Sequence, residues 1–118
     1  MSERATFPKA ERLRRGSEFR RVYESGRKVA GALAVLYVLA APGQRAIGTV
    51  TSRKVGNAVQ RNRARRLLRE AYRRHKHRLP PELQLVVVAR RAIVGQPFAR
   101  VEVEWLALCR RVGILAEA

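Results

Sequence analysis

The sequence predicts an α+β fold, a two-layer sandwich with helices packed against a small central sheet. Three observations carry this expectation. Apolar residues recur at helical spacing near residues 17–25, 57–79 and 98–112; compact runs of Val, Leu and Ile lie between them; and Gly, Pro or Asn punctuates the boundaries. A chain of 118 residues has room for one modest core, so residues 1–118 are expected to form one domain.

Ser17 is placed to cap a short first helix, on which Phe19, Val22 and Tyr23 share a face until Gly26 ends it. From Val29 to Ala40 the residues suit a strand apolar on both faces. Pro42, Gly43 and Gln44 form a turn and Arg45 to Ser52 returns as a second strand, so the two are expected to pair as a hairpin. Asn57, with Gln60 three residues on, has the form of a capping box. Pro80 and Pro81 stop the helix that begins there, which at about 1.5 Å per residue would reach on the order of 30 Å. Gln84 to Ala89 reads as a compact strand. After Gly95 and Pro97, a last helix sets Phe98, Val101, Trp105, Leu108, Cys109 and Val112 on one side. A further short strand fits near Ala30 or Ile93. Should the strands flanking the long helix run parallel, the general handedness rule predicts a right-handed crossover.

The formal charge is +17, from 26 Lys and Arg against nine acidic residues. Repulsion on that scale opposes folding, so a polyanionic partner is expected, with nucleic acid the leading class. The first fifteen residues lack the apolar core of a secretory signal, and the longest apolar run, Val29 to Ala41, is shorter than the roughly 20 residues of a membrane helix. A cytoplasmic chain with no membrane association is the expectation. Cys109, on an apolar helix face, reads as a small core hydrophobe in a reducing compartment.

Between Lys54 and Pro81 stand eight arginines, two lysines and one acid, Glu70. At 100° per residue, Ala64, Leu67, Leu68, Ala71, Tyr72 and His75 fall within one arc suited to docking on a sheet. Asn62, Arg66, Arg69 and Arg73 lie opposite, with Arg65 and Lys76 on one flank and Arg63, Glu70 and Arg74 on the other. Glu70 can pair with Arg66 or Arg74, a local contact worth a few tenths of a kcal/mol. A charge run is ordinarily a solvated face, but such faces balance Glu against Lys, and here the balance is missing. Guanidinium is also the better fork for phosphate. A helix docked on a sheet by a broad face is not the protruding reader of a DNA groove, which favours structured RNA.

Phe19, Tyr23 and Tyr37 are three of only seven aromatics. They suit either a core or, beside Arg53 and Lys54, a stacking platform for single-stranded nucleotides. Catalytic signals are absent: the chain has no aspartate, its glutamates are scattered, and neither His75 with His77 nor Glu102 with Glu104 shares a helix face. No Walker loop, nucleophile elbow or zinc spacing occurs.

The stretch SRKVGNAVQRNRARRLLREAYR, Ser52 to Arg73, closely resembles the signature of the bacterial ribonuclease P protein component, whose hallmark Arg-Asn-Arg run stands here as Arg61, Asn62 and Arg63. RLRRGSEFRRVYESGRKV resembles that family's N-terminal helix, LAVLYVL its first strand and LQLVVVARR a later one. The resemblance implies one subunit of a ribonucleoprotein that removes the 5′ leader from precursor tRNA. Its catalyst would be a large RNA carrying Mg2+, with no cofactor on the protein and no obligate protein partner. By the same analogy, Arg61, Asn62, Arg63, Arg66 and Arg69 dock on the catalytic RNA, and the stripe adds Arg65 and Arg73. Phe19, Tyr23, Tyr37, Arg53 and Lys54 fall on positions that line a cleft for the leader; Arg53 replaces a common Lys and Tyr23 a common Phe. The resemblance also implies a left-handed crossover through the Arg-rich helix, as in domains of a small-subunit ribosomal protein and a translocating elongation factor, against the handedness rule. Two rivals remain open: a ribosomal or RNA-chaperone-type binding protein, and a self-sufficient nuclease, which the carboxylate count disfavours.

Overall fold

A computed structural model of the chain describes residues 11–43 and 45–116; Gln44, part of the expected turn, lies outside the described residues. In chain order the elements are α1 (Gly16–Ser25), β1 (Arg27–Ala30), β2 (Ala34–Ala40), β3 (Ala46–Val50), α2 (Ala58–His75), β4 (Leu83–Ala89) and α3 (Phe98–Arg111), with single 3₁₀ turns at Lys76–Arg78 and Arg91–Ile93. The four strands form one mixed sheet in the order β1-β2-β4-β3.

Two expectations are corrected here. The apolar run 29–40 is not one strand, because it breaks at Gly31–Leu33 into the antiparallel pair β1 and β2, with Val29 opposite Leu36. Nor do the second and third strands form a hairpin: β4 inserts between them, antiparallel to β2 and parallel to β3. The reason is burial. Val86 and Val87 are fully buried, and a strand apolar on both faces is best placed in the middle of a sheet. The added strand near Ala30 exists as β1, whereas Ile93 lies in a 3₁₀ turn. The β3 edge is partly covered by the preceding chain, where Arg12 bridges Ile47 and the Leu13 N–H donates to the Ile47 carbonyl at 3.0 Å.

Alternation along the strands separates two apolar clusters. Leu36, Val38, Leu85, Val87 and Ile47 join Ala64, Leu68, Ala71 and Tyr72 of α2 and Val101, Trp105, Leu108 and Cys109 of α3 in the main core. Tyr72 and Trp105 meet edge to face, with centroids 6.4 Å apart. On the other face Val22 of α1 is buried with Leu13, Ala46 and Val86, so α1 adds a partial third layer to the expected two.

Two buried carboxylates, both invisible to periodicity, tie distant segments together. Glu104 on α3 accepts the N–H groups of Leu33 (2.5 Å) and Ala34 (2.8 Å) in the β1–β2 turn. A side chain at Gly31 would come within 2.8 Å of that carboxylate, which is why the turn uses glycine. Glu11 accepts from the Tyr72 hydroxyl and from Lys76 Nζ at 2.5 Å, fastening the leading segment to the end of α2. Burial, then the Glu11 hydrogen bond, pushes the Tyr72 phenol well above its ordinary value. No helix among the described residues is long and apolar enough to cross a membrane.

Candidate nucleic-acid interface

The long helix starts where the sequence places it. Asn57 accepts the Gln60 N–H at 2.9 Å while the Gln60 side chain accepts the Asn57 N–H at 2.9 Å, which satisfies two otherwise open donors. It ends at His75, followed by the 3₁₀ turn, and at about 1.5 Å per residue its 18 residues span about 27 Å. At that end His75 meets Glu102 of α3 at 2.8 Å.

Away from the buried face, Asn62, Arg63, Arg66 and Arg74 are exposed, and Arg61, Arg65, Arg69 and Arg73 are half-buried. Several of these guanidinium groups are anchored within the protein. Arg61 donates to the Gly56 carbonyl at 2.7 Å; Arg65 donates to Thr51 Oγ1 at 2.5 Å and to the Asn62 side chain. Burial, then the neighbouring Arg12 and Arg65 charges, lowers the Arg69 guanidinium below its ordinary value. Like charges crowded this way gain from a polyanion that neutralises them.

Glu70 takes Arg73 at 2.6 Å and Arg74 at 2.8 Å. Of the two partners expected for Glu70, Arg74 is the one that pairs, and Arg73, three residues on, takes the place open to Arg66. These two hydrogen bonds, Arg73 first, hold the Glu70 carboxyl down at about 2. Arg73 thus differs from the rest of the stripe, whereas Arg63 and Arg66 join no ion pair with the described residues. The other carboxylates with described partners also hold the fold: Glu18 caps α1 by accepting the Arg14 and Arg15 N–H groups, at 3.0 and 2.9 Å. Arg15 is the N-cap position and Ser17 is the second residue of the helix, which corrects the Ser17 cap.

The five expected cleft residues fall into two groups. Phe19, Tyr23 and Tyr37 share the α1 side of the sheet. Tyr23 and Tyr37 are edge to face at 4.8 Å, and Tyr23 remains 38% exposed. Around them Leu39, Val50 and Val88 are only half-buried, so this face is an open apolar floor. Lys28, opposite Tyr37 in the β1–β2 register, sets its ammonium 5.7 Å from that ring. Burial, then the neighbouring Tyr37, raises the Tyr23 phenol above its ordinary value.

Arg53 and Lys54 are exposed in the loop after β3. With Val55, Gly56, Gln60, Arg91 and Val94 they line a separate pocket of about 450 Å³. Sequence reasoning missed Lys28 and Arg91; the Arg-Arg pair closing VARR was the available signal for the second.

Phe19 owes its position to Gly48. A Cβ there would lie 2.3 Å from the ring, so glycine lets the aromatic approach β3 closely. Gly48→Ala is expected to destabilise the fold by about 1–3 kcal/mol through overpacking and to displace the ring. A urea midpoint and the Phe19 ring proton shifts read both effects.

Fold and surface together define a class: a small α+β protein with one arginine-faced helix and one open aromatic sheet face, suited to binding folded and single-stranded RNA. The Ribonuclease P family model matches residues 7–113. The chain is 45% identical over 114 residues to the ribonuclease P protein component of Desulfovibrio desulfuricans, covering 92% of this chain and 88% of that one. To the Halalkalibacterium halodurans component it is 34% identical, covering 91% and 92%. Its fold matches the RNase P protein of Staphylococcus aureus, at 26% identity and a TM-score of 0.83 over 91% of this chain and 99% of that one. It also matches that of Thermotoga maritima, at 28% identity and a TM-score of 0.77 over 86% and 96%. The chain belongs to the ribonuclease P protein family. It is a subunit of the ribonucleoprotein that processes tRNA 5′ ends, in which catalysis is RNA-based.

Proposed function

We propose that the two surfaces divide the work of this subunit. The α2 face, through Arg61, Asn62, Arg63, Arg65, Arg66 and Arg69 with Arg73 at its margin, grips the catalytic RNA. The α1 face of the sheet, through Phe19, Tyr23 and Tyr37, holds the single-stranded leader of precursor tRNA, with Arg53 and Lys54 meeting it from the separate pocket after β3. One observation carries this: Arg63 and Arg66 stand exposed and without carboxylate partners among the described residues, on the side of α2 that faces away from its core. Holding the leader favours precursor over product, because mature tRNA lacks the segment the aromatics stack upon.

The same reading assigns the reaction's Mg2+ to the RNA, since this chain has no aspartate and its engaged glutamates serve the fold. It includes a left-handed β3–α2–β4 crossover like that of the ribosomal-protein and elongation-factor domains, one domain over 1–118, a cytoplasmic location and no need for a second protein.

Reconstituted holoenzyme provides the test. Tyr37→Ala is expected to weaken precursor tRNA binding about fivefold or more, the contribution of one stacked base, and to leave mature tRNA binding unchanged. Equal losses for both tRNAs, or none for either, would remove the leader from this face.

A further inference from the structure

A groove on the flank of α2, where α3 begins, has no place in the reading so far. It encloses about 390 Å³ and is lined by Arg63, Arg66, Leu67, Glu70, Arg74 and Phe98. Leu67 and Phe98 are half-buried against the main core and form an apolar floor. Around it stand three arginines.

Arg74 is held differently from a solvated arginine. Its guanidinium carbon lies 4.7 Å from the centroid of the Phe98 ring, and its Nε donates to Glu70 at 2.8 Å. Glu70 is itself fixed by Arg73, which donates through Nε at 2.8 Å and Nη2 at 2.6 Å. Ring and carboxylate together orient the guanidinium plane. A guanidinium held over an aromatic ring and still half-exposed can offer a platform on its outer side, and RNA-binding proteins stack unpaired bases on arginine planes.

We propose that this groove receives one unstacked nucleotide of the RNA that α2 grips, its base against Arg74 above Phe98 and its phosphates against Arg63 and Arg66. The inference rests on the α2 reading above and extends it from phosphate contact to capture of a base. Charge fits the arrangement: Glu70 is matched by two guanidinium groups, whereas Arg63 and Arg66, which pair with no carboxylate among the described residues, stand where the phosphates go. An acidic peptide would also satisfy Arg63 and Arg66, but it gives the Arg74–Phe98 plane nothing to stack on.

The test is the affinity of full-length protein for the catalytic RNA across a salt series. Arg74→Lys keeps the charge and loses the plane; Phe98→Leu keeps an apolar floor and loses the ring. Each is expected to weaken binding about fivefold or more, with the slope of log affinity against log salt unchanged. Arg66→Ala, in contrast, is expected to reduce that slope by about 0.7–0.9. Should Phe98→Leu unfold, Arg74→Lys decides alone, because its side chain is 52% exposed and a thermal melt verifies the fold. Wild-type affinity in Arg74→Lys, with Arg66→Ala still impaired, overturns the nucleotide site and leaves the α2 reading standing. If Arg66→Ala also binds as wild type, the α2 reading falls with it. Polyglutamate binding that responds to Arg74→Lys as RNA binding does would assign the groove to an acidic chain instead.

Discussion

Arg63 and Arg66 changed together to alanine are expected to weaken assembly with the ribonuclease P RNA on the order of a hundredfold. Each guanidinium that meets a phosphate makes a charge-assisted hydrogen bond worth about 1.5–3 kcal/mol, so losing two removes about 3 kcal/mol or more. The loss should carry an electrostatic signature, a salt slope shallower by about 1.4–1.8 for two phosphates. Fold stability should hardly move, because both side chains are exposed and unpaired with any described carboxylate, and alanine is the better helix former. Arg69 is a poorer choice for this experiment, being half-buried beside Arg65 and Arg12. Filter binding at several salt concentrations checks the prediction, and unchanged affinity and slope would refute the role given to α2.

Glu104→Ala acts on the fold alone. One oxygen of this carboxylate accepts two buried backbone N–H groups, and its loss leaves both without a partner. At about 1–3 kcal/mol for each orphaned donor, the expected cost is about 3 kcal/mol, with Tm lower by on the order of 10 °C. Glu104→Gln retains an amide oxygen able to accept both donors and should recover much of the loss. Thermal unfolding of the two variants separates the hydrogen bonds from the mere presence of a side chain; equal Tm values for alanine and glutamine would show that the bonds contribute nothing.

Local signals made the elements legible. The Asn57–Gln60 box, the buried arc of α2 and the apolar side of α3 follow from spacing alone, and all three occur. Pairing was not legible, because it is decided far along the chain. Gly31 by itself is a weak turn signal, and the turn it belongs to is completed by Glu104, 71 residues beyond Leu33. The hairpin expectation failed for the same reason: β2 and β3 are neighbours in sequence, but the better partner for both is a strand that comes after α2. In the site, the arginine stripe could be read from helix geometry. The separation of Arg53 and Lys54 from the three aromatics could not, since it depends on where the loop after β3 turns.

The central position of β4 also has a temporal consequence. A ribosome releases β2, β3 and all of α2 before the strand that joins them, so the growing chain carries two open sheet edges and no completed core. Pairings this remote in sequence make for slow folding. The cationic helix is therefore translated in full before its β-layer can close behind it, and nearby polyanions can meet it while the domain is still being made.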